Sequence, residues 1–485
     1  MSGNYCIGLD LGTTSAKAVI FQFNGKVKSE AERLITTYYP ESGWVEQDPN
    51  EIESFAVKAI KDAMDEAKIQ KDEVKVIGIS CAMHSLICVD QDGNPLSNAL
   101  IWSDGRSSQQ AESFSEKERQ DLFLKTGVPI HPMTPFTKLV WMKETAFEPY
   151  KRARYFMSVK EFILFRWFGE RVVDYSMASA TGLFTPSKLE WDETAIEITQ
   201  IEENQLSEVV PPTYVLNGLD KKVADGMGLL SDIPVVIGAA DGQLANLGIG
   251  AILPGEVAIT VGTSGAVRQF SKGVRINEKR ETFSYAFTDE YSIIGGPSNN
   301  GGIALQWLKE LLNNQDSYSE FIEKAGKVTA GAEGLIFHPY INGERAPIWN
   351  QRATGNFSGL SITHKQEHFI RAVLEGITFN LYQIERALCR LAGEPSRIYV
   401  NGGLARSNLW LQMLADIFGK EVYVAETHHS SAWGAAWTSL VAIGEVNSFE
   451  EIKNNIQLGE PIVPNEKTHR AYQEIYEEYM KRSRI

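Results

Sequence analysis

The sequence predicts an α/β protein of two domains, with a duplicated core and a ligand cleft between the halves. Three observations carry that prediction. The chain has 485 residues, more than one ordinary hydrophobic core organises. A strand–turn–strand unit occurs twice, as L-G-T-T-S-A over residues 11–16 and V-G-T-S-G-A over 261–266. Each unit opens a run in which strand and helix patterns alternate. The Gly/Pro-rich turn at 248–255 divides the halves, giving expected domains of 1–248 and 249–485.

In chain order, residues 5–11 and 16–21 read as strands around the turn Gly12-Thr13-Thr14-Ser15. A helix follows with explicit start signals: Asp48 as N-cap, Pro49 at the first helical position, and Glu51 to complete a capping box. Ile52, Phe55, Ala56, Ala59, Ile60, Ala63 and Met64 mark its apolar face at helical period. Strands are expected at 74–81 and 86–90, with a turn at 91–94. The second run begins with Pro234-Val235-Val236-Ile237-Gly238 and continues with strands at 256–261 and 266–270 around Gly262-Thr263-Ser264-Gly265. Further strands are expected near 291–294 and 397–401. Between them lies a long helix over 365–391, stopped by Gly393. Its stripe Phe369, Val373, Leu374, Ile377, Leu381, Ile384 and Leu388 reads as core.

Composition excludes several function classes. Lys+Arg number 47 against Asp+Glu 62, a formal charge of −15, and no basic block stands out. Nucleic acid and anionic membrane are therefore poor partners. No apolar run reaches the ~18 residues of a membrane helix, and no secretory pattern opens the chain. Cys6, Cys81, Cys88 and Cys389 show neither metal nor disulfide spacing, as expected in a reducing cytoplasm. An anionic ligand must then be held by local devices: backbone N–H groups, helix N-termini, a few placed cations and a divalent metal.

The first hairpin offers such a device. Its Gly turn exposes consecutive N–H groups, and Thr13, Thr14 and Ser15 add hydroxyls. Asp10 precedes the turn, placed to hold Mg²⁺ directly or through water, and Lys17 adds a cation. Taken alone, the string reads equally well as an ordinary β-turn. The second hairpin tips the balance, because a nucleotide lying between two domains needs a clamp from each. No G-x-x-x-x-G-K-[ST] and no early G-x-G-x-x-G occurs, so the site is neither a P-loop nor a protein-kinase site. Asp241, in G-A-A-D-G, stands at the carboxyl end of a buried strand, where ligands gather in open α/β sheets. There it is placed to accept a proton from an attacking hydroxyl; the bland alternative is a helix cap. Gly402-Gly403 before Ser407-Asn408 reads, by itself, as a simple strand-to-helix turn. Met83-His84 and Trp102-Ser103-Asp104-Gly105-Arg106 follow two successive strands and together suggest a polyol or carboxylate pocket.

These strings resemble the FGGY carbohydrate kinases, relatives of actin, hexokinase and the chaperone ATPase domain, over nearly the whole chain. G-N-F-S-G-L at 355–360, continuing through His368-Phe369 to Ala372-Val373-Leu374-Glu375, fits one family signature throughout. M-T-P-F-T-K-L-V-W-M-K-E at 133–144 fits nearly all of the other and departs at Thr145. The resemblance implies two actin-like (ribonuclease H-like) domains, ATP with Mg²⁺, and a homodimer. It gives Asp10, Gly12, Thr13, Thr14, Ser15 and Lys17 to the first phosphate motif, and Gly262, Thr263 and Ser264 to the second. Asp241 falls on the catalytic base, with Asp10 and Asp241 on the metal side. Gly302 and Gln306 match positions near ribose and phosphates. Gly402, Gly403 and Ser407 or Asn408 match the adenosine motif, and Gly434-Ala435-Ala436 a helix start closing the adenine side.

For the substrate, Met83-His84 and Met133 stand where glycerol kinases carry Arg-Glu and Tyr, and Gly242 where they carry Gln, which disfavours glycerol. Xylulose kinases share Met-His and W-x-D-x-R. The strings A-M-H-S, T-G-V-P-I-H-P-M-T-P, V-V-D-Y-S-M-A-S-A and F-H-P-Y-I-N-G-E-R-A-P-I-W-N resemble gluconate kinases more closely. The expected substrate residues are Met83, His84, Trp102, Asp104, Arg106, Met133 and Asp241. His84, Arg106 and Lys138 are the expected partners of a carboxylate. Gluconate is the first expectation and xylulose the second. A protein-moving ATPase and a catalytically dead sugar sensor are the rivals from other classes.

Overall fold

The computed structural model describes residues 4–425 and 429–483. Apolar strands and amphipathic helices bury two main cores, one per half of the chain. In the first half the strands are β1 (Tyr5–Leu11), β2 (Ser15–Gln22), β3 (Val27–Leu34), β4 (Val74–Cys81), β5 (Val215–Leu216) and β6 (Val235–Ala240). They form one sheet in the order β5-β6-β4-β1-β2-β3. In the second half they are β7 (Glu256–Val261), β8 (Gly265–Lys272), β9 (Phe283–Ala286), β10 (Tyr291–Ser298), β11 (Arg397–Gly402) and β12 (Val422–Val424). Their order is β9-β10-β8-β7-β11-β12.

The duplication is visible in the pairing. In each sheet a central strand, β1 or β7, makes an antiparallel hairpin on one side and a parallel pair on the other. A second parallel strand, β6 or β12, and a third antiparallel strand, β3 or β10, complete the same five-strand pattern. This is the two-domain actin-like arrangement.

Seven helices position the site: α1 (Pro49–Ala67), α2 (Pro135–Glu144), α3 (Asp241–Gly248), α4 (Gly302–Leu311), α5 (Gln366–Ala392), α6 (Asn408–Phe418) and α7 (Ser430–Ala442). α1 starts at Asp48 with Pro49 as expected, but the capping box does not form. The Asp48 carboxylate accepts from Asn50 N, while the Glu51 carboxylate turns to the backbone and hydroxyl of Thr36. α5 ends at Gly393, whose N–H returns to Cys389 O.

α7 comes from the second half yet lies on the first sheet. A Cβ added at Gly8 of β1 would sit 2.0 Å from Ala432 O, and one at Gly78 of β4 would sit 2.0 Å from Ala435 O. Gly434 approaches Leu244 of α3 as closely: an added Cβ would lie 2.1 Å from its carbonyl oxygen. Gly434-Ala435-Ala436 is therefore not a helix start closing an adenine pocket. It is the buried seam where α7 crosses α3 and the first sheet. Among the described residues no helix is long and apolar enough to cross a membrane, and the four cysteines form no disulfide.

Candidate active site

Two cavities flank the second hairpin. The first, of about 300 Å³, lies between the halves. From the first half it takes Thr13, Met83, His84, Trp102, Met133 and Asp241; from the second, Gly262, Ser264, Arg268, Tyr285 and Arg345. The second, of about 390 Å³, is lined by Gly262, Thr263, Gly302, Gln306, Gly403, Arg406, Ser407 and Trp410. Gly262 borders both, so the turn between β7 and β8 is the partition between them.

Asp241 is the first residue of α3, delivered by the buried strand β6. Burial raises its pKa, and the nearby guanidinium of Arg268 opposes that rise. The strand end is anchored from below. Ser176 Oγ accepts the N–H of Ala240 (2.8 Å) and donates to Asp174, which is also ion-paired with buried Lys160. Asp10, at the end of β1, accepts from Ser80 Oγ at 2.8 Å. Burial raises it to about 6 against that hydrogen bond, with the charge of Asp241 adding to the rise. Lys17 stands opposite Asp10 in the β1–β2 register, 3.8 Å from Glu32.

His84 has a left-handed backbone (φ 70°), an expensive conformation for a side chain of this kind. Its Nδ1 lies 2.8 Å from Ala180 O, and that contact requires a proton on Nδ1. Burial, with the Lys138 ammonium, lowers its pKa to about 3. The ring is thus neutral, which leaves Nε2 able to accept a hydrogen bond and gives the ring no charge with which to pair a carboxylate. Lys138 does not reach the cavity at all. Its Nζ donates to the carbonyl oxygens of His84 (2.6 Å), Ile101 (2.8 Å), Met133 (3.0 Å) and Leu100 (3.1 Å). It ties two cavity segments to α2, and burial draws its pKa down to about 7.

Asp104 and Arg106 also fall outside the cavity, contrary to expectation. The Arg106 guanidinium is fork-bonded to Asp104 (Nε–Oδ1 and Nη2–Oδ2, both 2.8 Å) and bonded to Glu46 at 2.6 Å. It stacks 3.9 Å from the Trp44 ring, and Asp104 also accepts from Val45 N. Of that string only Trp102 reaches the cavity, donating from Nε1 to Thr13 Oγ1 at 3.0 Å.

The hairpin residues divide as sharply. Ser15 donates to Glu32 of β3, and its hydroxyl is committed there. Thr14 is exposed at the tip, and Gly12 N closes the turn on Ser15 O. In the second hairpin Gly262 and Thr263 are exposed, and their carbonyls accept from Gly302 N (2.7 Å) and Ile303 N (3.0 Å). The first N–H groups of α4 therefore brace the hairpin and are not open to a phosphate. Gly402 pairs with Val261, and Asn408 is exposed; neither lines the second cavity. Ser407 lines it while capping α6 through Trp410 N.

Arg268 and Arg345 were not singled out in the sequence, nor was Arg406 in the second cavity. Arg268 sits within β8, where an Arg reads as a solvated strand residue. Arg345 lies in the quoted string G-E-R-A-P, but nothing local says which way it points. Between the halves, Arg280 meets Glu116 and Arg352 meets Glu112, each at 2.5 Å, and Ser108 meets Gln351 at 3.0 Å. These contacts join the two halves.

Two hairpins of one design, facing a cavity with a strand-end carboxylate, define a two-domain phosphotransferase. The N-terminal domain pattern of the FGGY family of carbohydrate kinases matches residues 5–248, and the C-terminal pattern matches 257–443. The chain belongs to this family, whose members transfer phosphate from a nucleotide to an alcohol group. It is 39% identical to a gluconokinase from Bacillus subtilis, covering 99% of this chain and 96% of the relative. A gluconate kinase structure from Lactobacillus acidophilus superposes with a TM-score of 0.95 at 33% identity, over 99% of this chain and 97% of that one. A ligand-bound xylulose kinase structure from the same organism gives the same figures. The family sets aside the protein-moving ATPase reading.

Proposed function

We propose that the protein phosphorylates D-gluconate with ATP, giving 6-phospho-D-gluconate and ADP. The observation that carries the sugar-acid reading is the charge of the acceptor cavity. In a chain of net charge −15, this cavity places two guanidinium groups, Arg268 and Arg345, against the single carboxylate of Asp241. A neutral sugar leaves that excess positive charge unanswered; an aldonate answers it. The similarity to gluconokinases over almost the full chain supports the same substrate.

In this reading Asp241 accepts the proton of the terminal hydroxyl as it attacks, and orients it for in-line transfer. Neutral His84 accepts a hydrogen bond from a sugar hydroxyl through Nε2. The second hairpin lies between acceptor and nucleotide, where its backbone N–H groups stabilise charge on the transferring phosphoryl group. The nucleotide's adenosine end occupies the second cavity, beside Gly403 and Ser407. Mg²⁺, if bound with ATP, would offset charge on the β- and γ-phosphates. Asp10 and Asp241 fit such an ion: both are hard oxygen donors, and among the described residues the second oxygen of Asp10 makes no hydrogen bond. Closure of the cleft excludes water and limits futile ATP hydrolysis. The test is a coupled ATP-consumption screen over gluconate, other aldonates, xylulose, ribulose and glycerol. The expected result is gluconate first by kcat/KM; a preference for xylulose would overturn the proposal.

A further inference from the structure

Arg268 and Arg345 share an unusual condition. Arg345 is buried, 8% exposed, yet its guanidinium forms no ion pair among the described residues. Its Nη2 makes one long contact to Ser298 O (3.3 Å), and its buried Nε has no partner. The neighbouring Glu344 does not neutralise it by contact. That carboxylate is filled by Ser298 Oγ, Asn299 N, Asn300 Nδ2, Asn380 Nδ2 and the backbone N–H of Arg345 itself. The network fixes the backbone at 344–345 and leaves the guanidinium to the cavity, over the Trp102 ring at 5.0 Å. Arg268 makes neither an ion pair nor a side-chain hydrogen bond among the described residues. It lies against Gly242, where an added Cβ would come within 2.9 Å of its Nε. Gly242 thus leaves the space that Arg268 fills.

Two buried or half-buried cations lining one cavity without partners are costly unless an anion joins them. Arg268 is attracted by the Asp241 carboxylate and repelled by Arg345, and all three line the same cavity. A six-carbon acid carries both functions for which the cavity offers partners, a terminal hydroxyl for Asp241 and a carboxylate for the two guanidinium groups.

We propose that Arg345 and Arg268 form a two-guanidinium clamp for the carboxylate of the acceptor, with Arg345 the principal anchor and Gly242 kept without a side chain to admit Arg268. The clamp rests on the sugar-acid reading of the same site and names the residues that enforce it. Its test compares D-gluconate with the uncharged D-gluconamide in the wild type and in Arg345→Met, Arg268→Met and Gly242→Ala, by kcat/KM for each acceptor. Gluconate affinity is measured in parallel by calorimetry, and folding by thermal melting. The wild-type preference for acid over amide should collapse about 100-fold in Arg345→Met and about tenfold in the other two, mostly through KM. Arg345→Lys should recover part of the preference. Unchanged acid/amide ratios in both arginine variants of a gluconate-active enzyme would overturn the clamp alone. So would an Arg268→Met variant that loses kcat equally with both acceptors, which would move Arg268 to the phosphoryl group. A wild type inactive on gluconate but active on another aldonate, with the ratio collapsing for that acid and its amide, would overturn gluconate and uphold the clamp. Activity confined to uncharged sugars would remove both.

Discussion

The two Gly-Thr hairpins have nearly the same sequence and occupy the same place in sheets of the same order, but their surroundings give them different work. In the first, Thr13 takes hydrogen bonds from Trp102 and Gln47, Ser15 is held by Glu32, and the turn is drawn into the acceptor side. In the second, the side chains are free, the carbonyls are braced by the start of α4, and the turn divides the two cavities. Their lengths differ too. Leu11 pairs with Ala16 across four turn residues, whereas Val261 pairs with Gly265 across three. The motif fixes the backbone trace, and the neighbours assign the function. A symmetric clamp was the simplest expectation; the structure makes the second hairpin the shared wall and the first a buttress.

The strongest test separates both hairpins from the chemistry. Asp241→Asn leaves each turn intact and removes the proton acceptor. It should lower kcat by about 10³-fold while keeping nucleotide affinity, measured by calorimetry, within a few-fold; near-normal kcat would take Asp241 out of that role. The comparison itself is tested by matched alanines. Thr263→Ala should cut kcat/KM for ATP about tenfold, because Thr263 lines the cavity proposed for the nucleotide. Thr13→Ala should cost about threefold and act mainly on acceptor KM. The reverse pattern would restore two equal clamps. Arg106→Met should lower the urea midpoint, by about 3 kcal/mol of stability, because Asp104 loses its buried partner. Its acceptor KM should stay within about twofold; a large KM effect at unchanged stability would return Arg106 to the substrate.

The smallest expected effect is a missing titration. His84 is held near 3, so it is neutral at every pH from 5 to 8. A His that bound as imidazolium would give a low acceptor KM below pH 6.5 and a KM rising with pH above it. Acceptor KM should instead show no rise centred near pH 6.5 in the wild type, any change above pH 7 following Lys138, whose ammonium holds the His84 and Met133 carbonyls.

What could be read in the sequence follows physical range. β1, β2, β4 and β6–β8, with α1 and α5, announce themselves through local periodicity and end signals, and they stand within a residue or two of expectation. β3 escaped because, at the sheet edge, it reads V-K-S-E-A-E-R-L with mostly exposed positions and little apolar alternation to detect. The capping box at Glu51 failed because Thr36, distant in sequence, competes for that carboxylate. At the site, Asp241, Met83, His84 and Trp102 were legible as residues at strand ends and Met133 through the family signature, and the structure brings them to one cavity. The charged partners were not. Asp104 and Arg106 look like ligands in a short string, yet Glu46, Trp44 and Trp141 claim the guanidinium from other parts of the chain. Arg268 and Arg345 look like surface residues until the second half folds over the first.

The crossing of α7 on the first sheet bears on how this chain can be divided. The repeated pattern invites a cut between Gly248 and Ile249, as though each half were a module that could be expressed alone. Such a cut would leave the first fragment with the bare glycine track of Gly8 and Gly78 facing solvent, and the second with an apolar helix and nothing to cover it. The products would be complementary fragments that need one another to fold, a split enzyme whose activity reports their reunion.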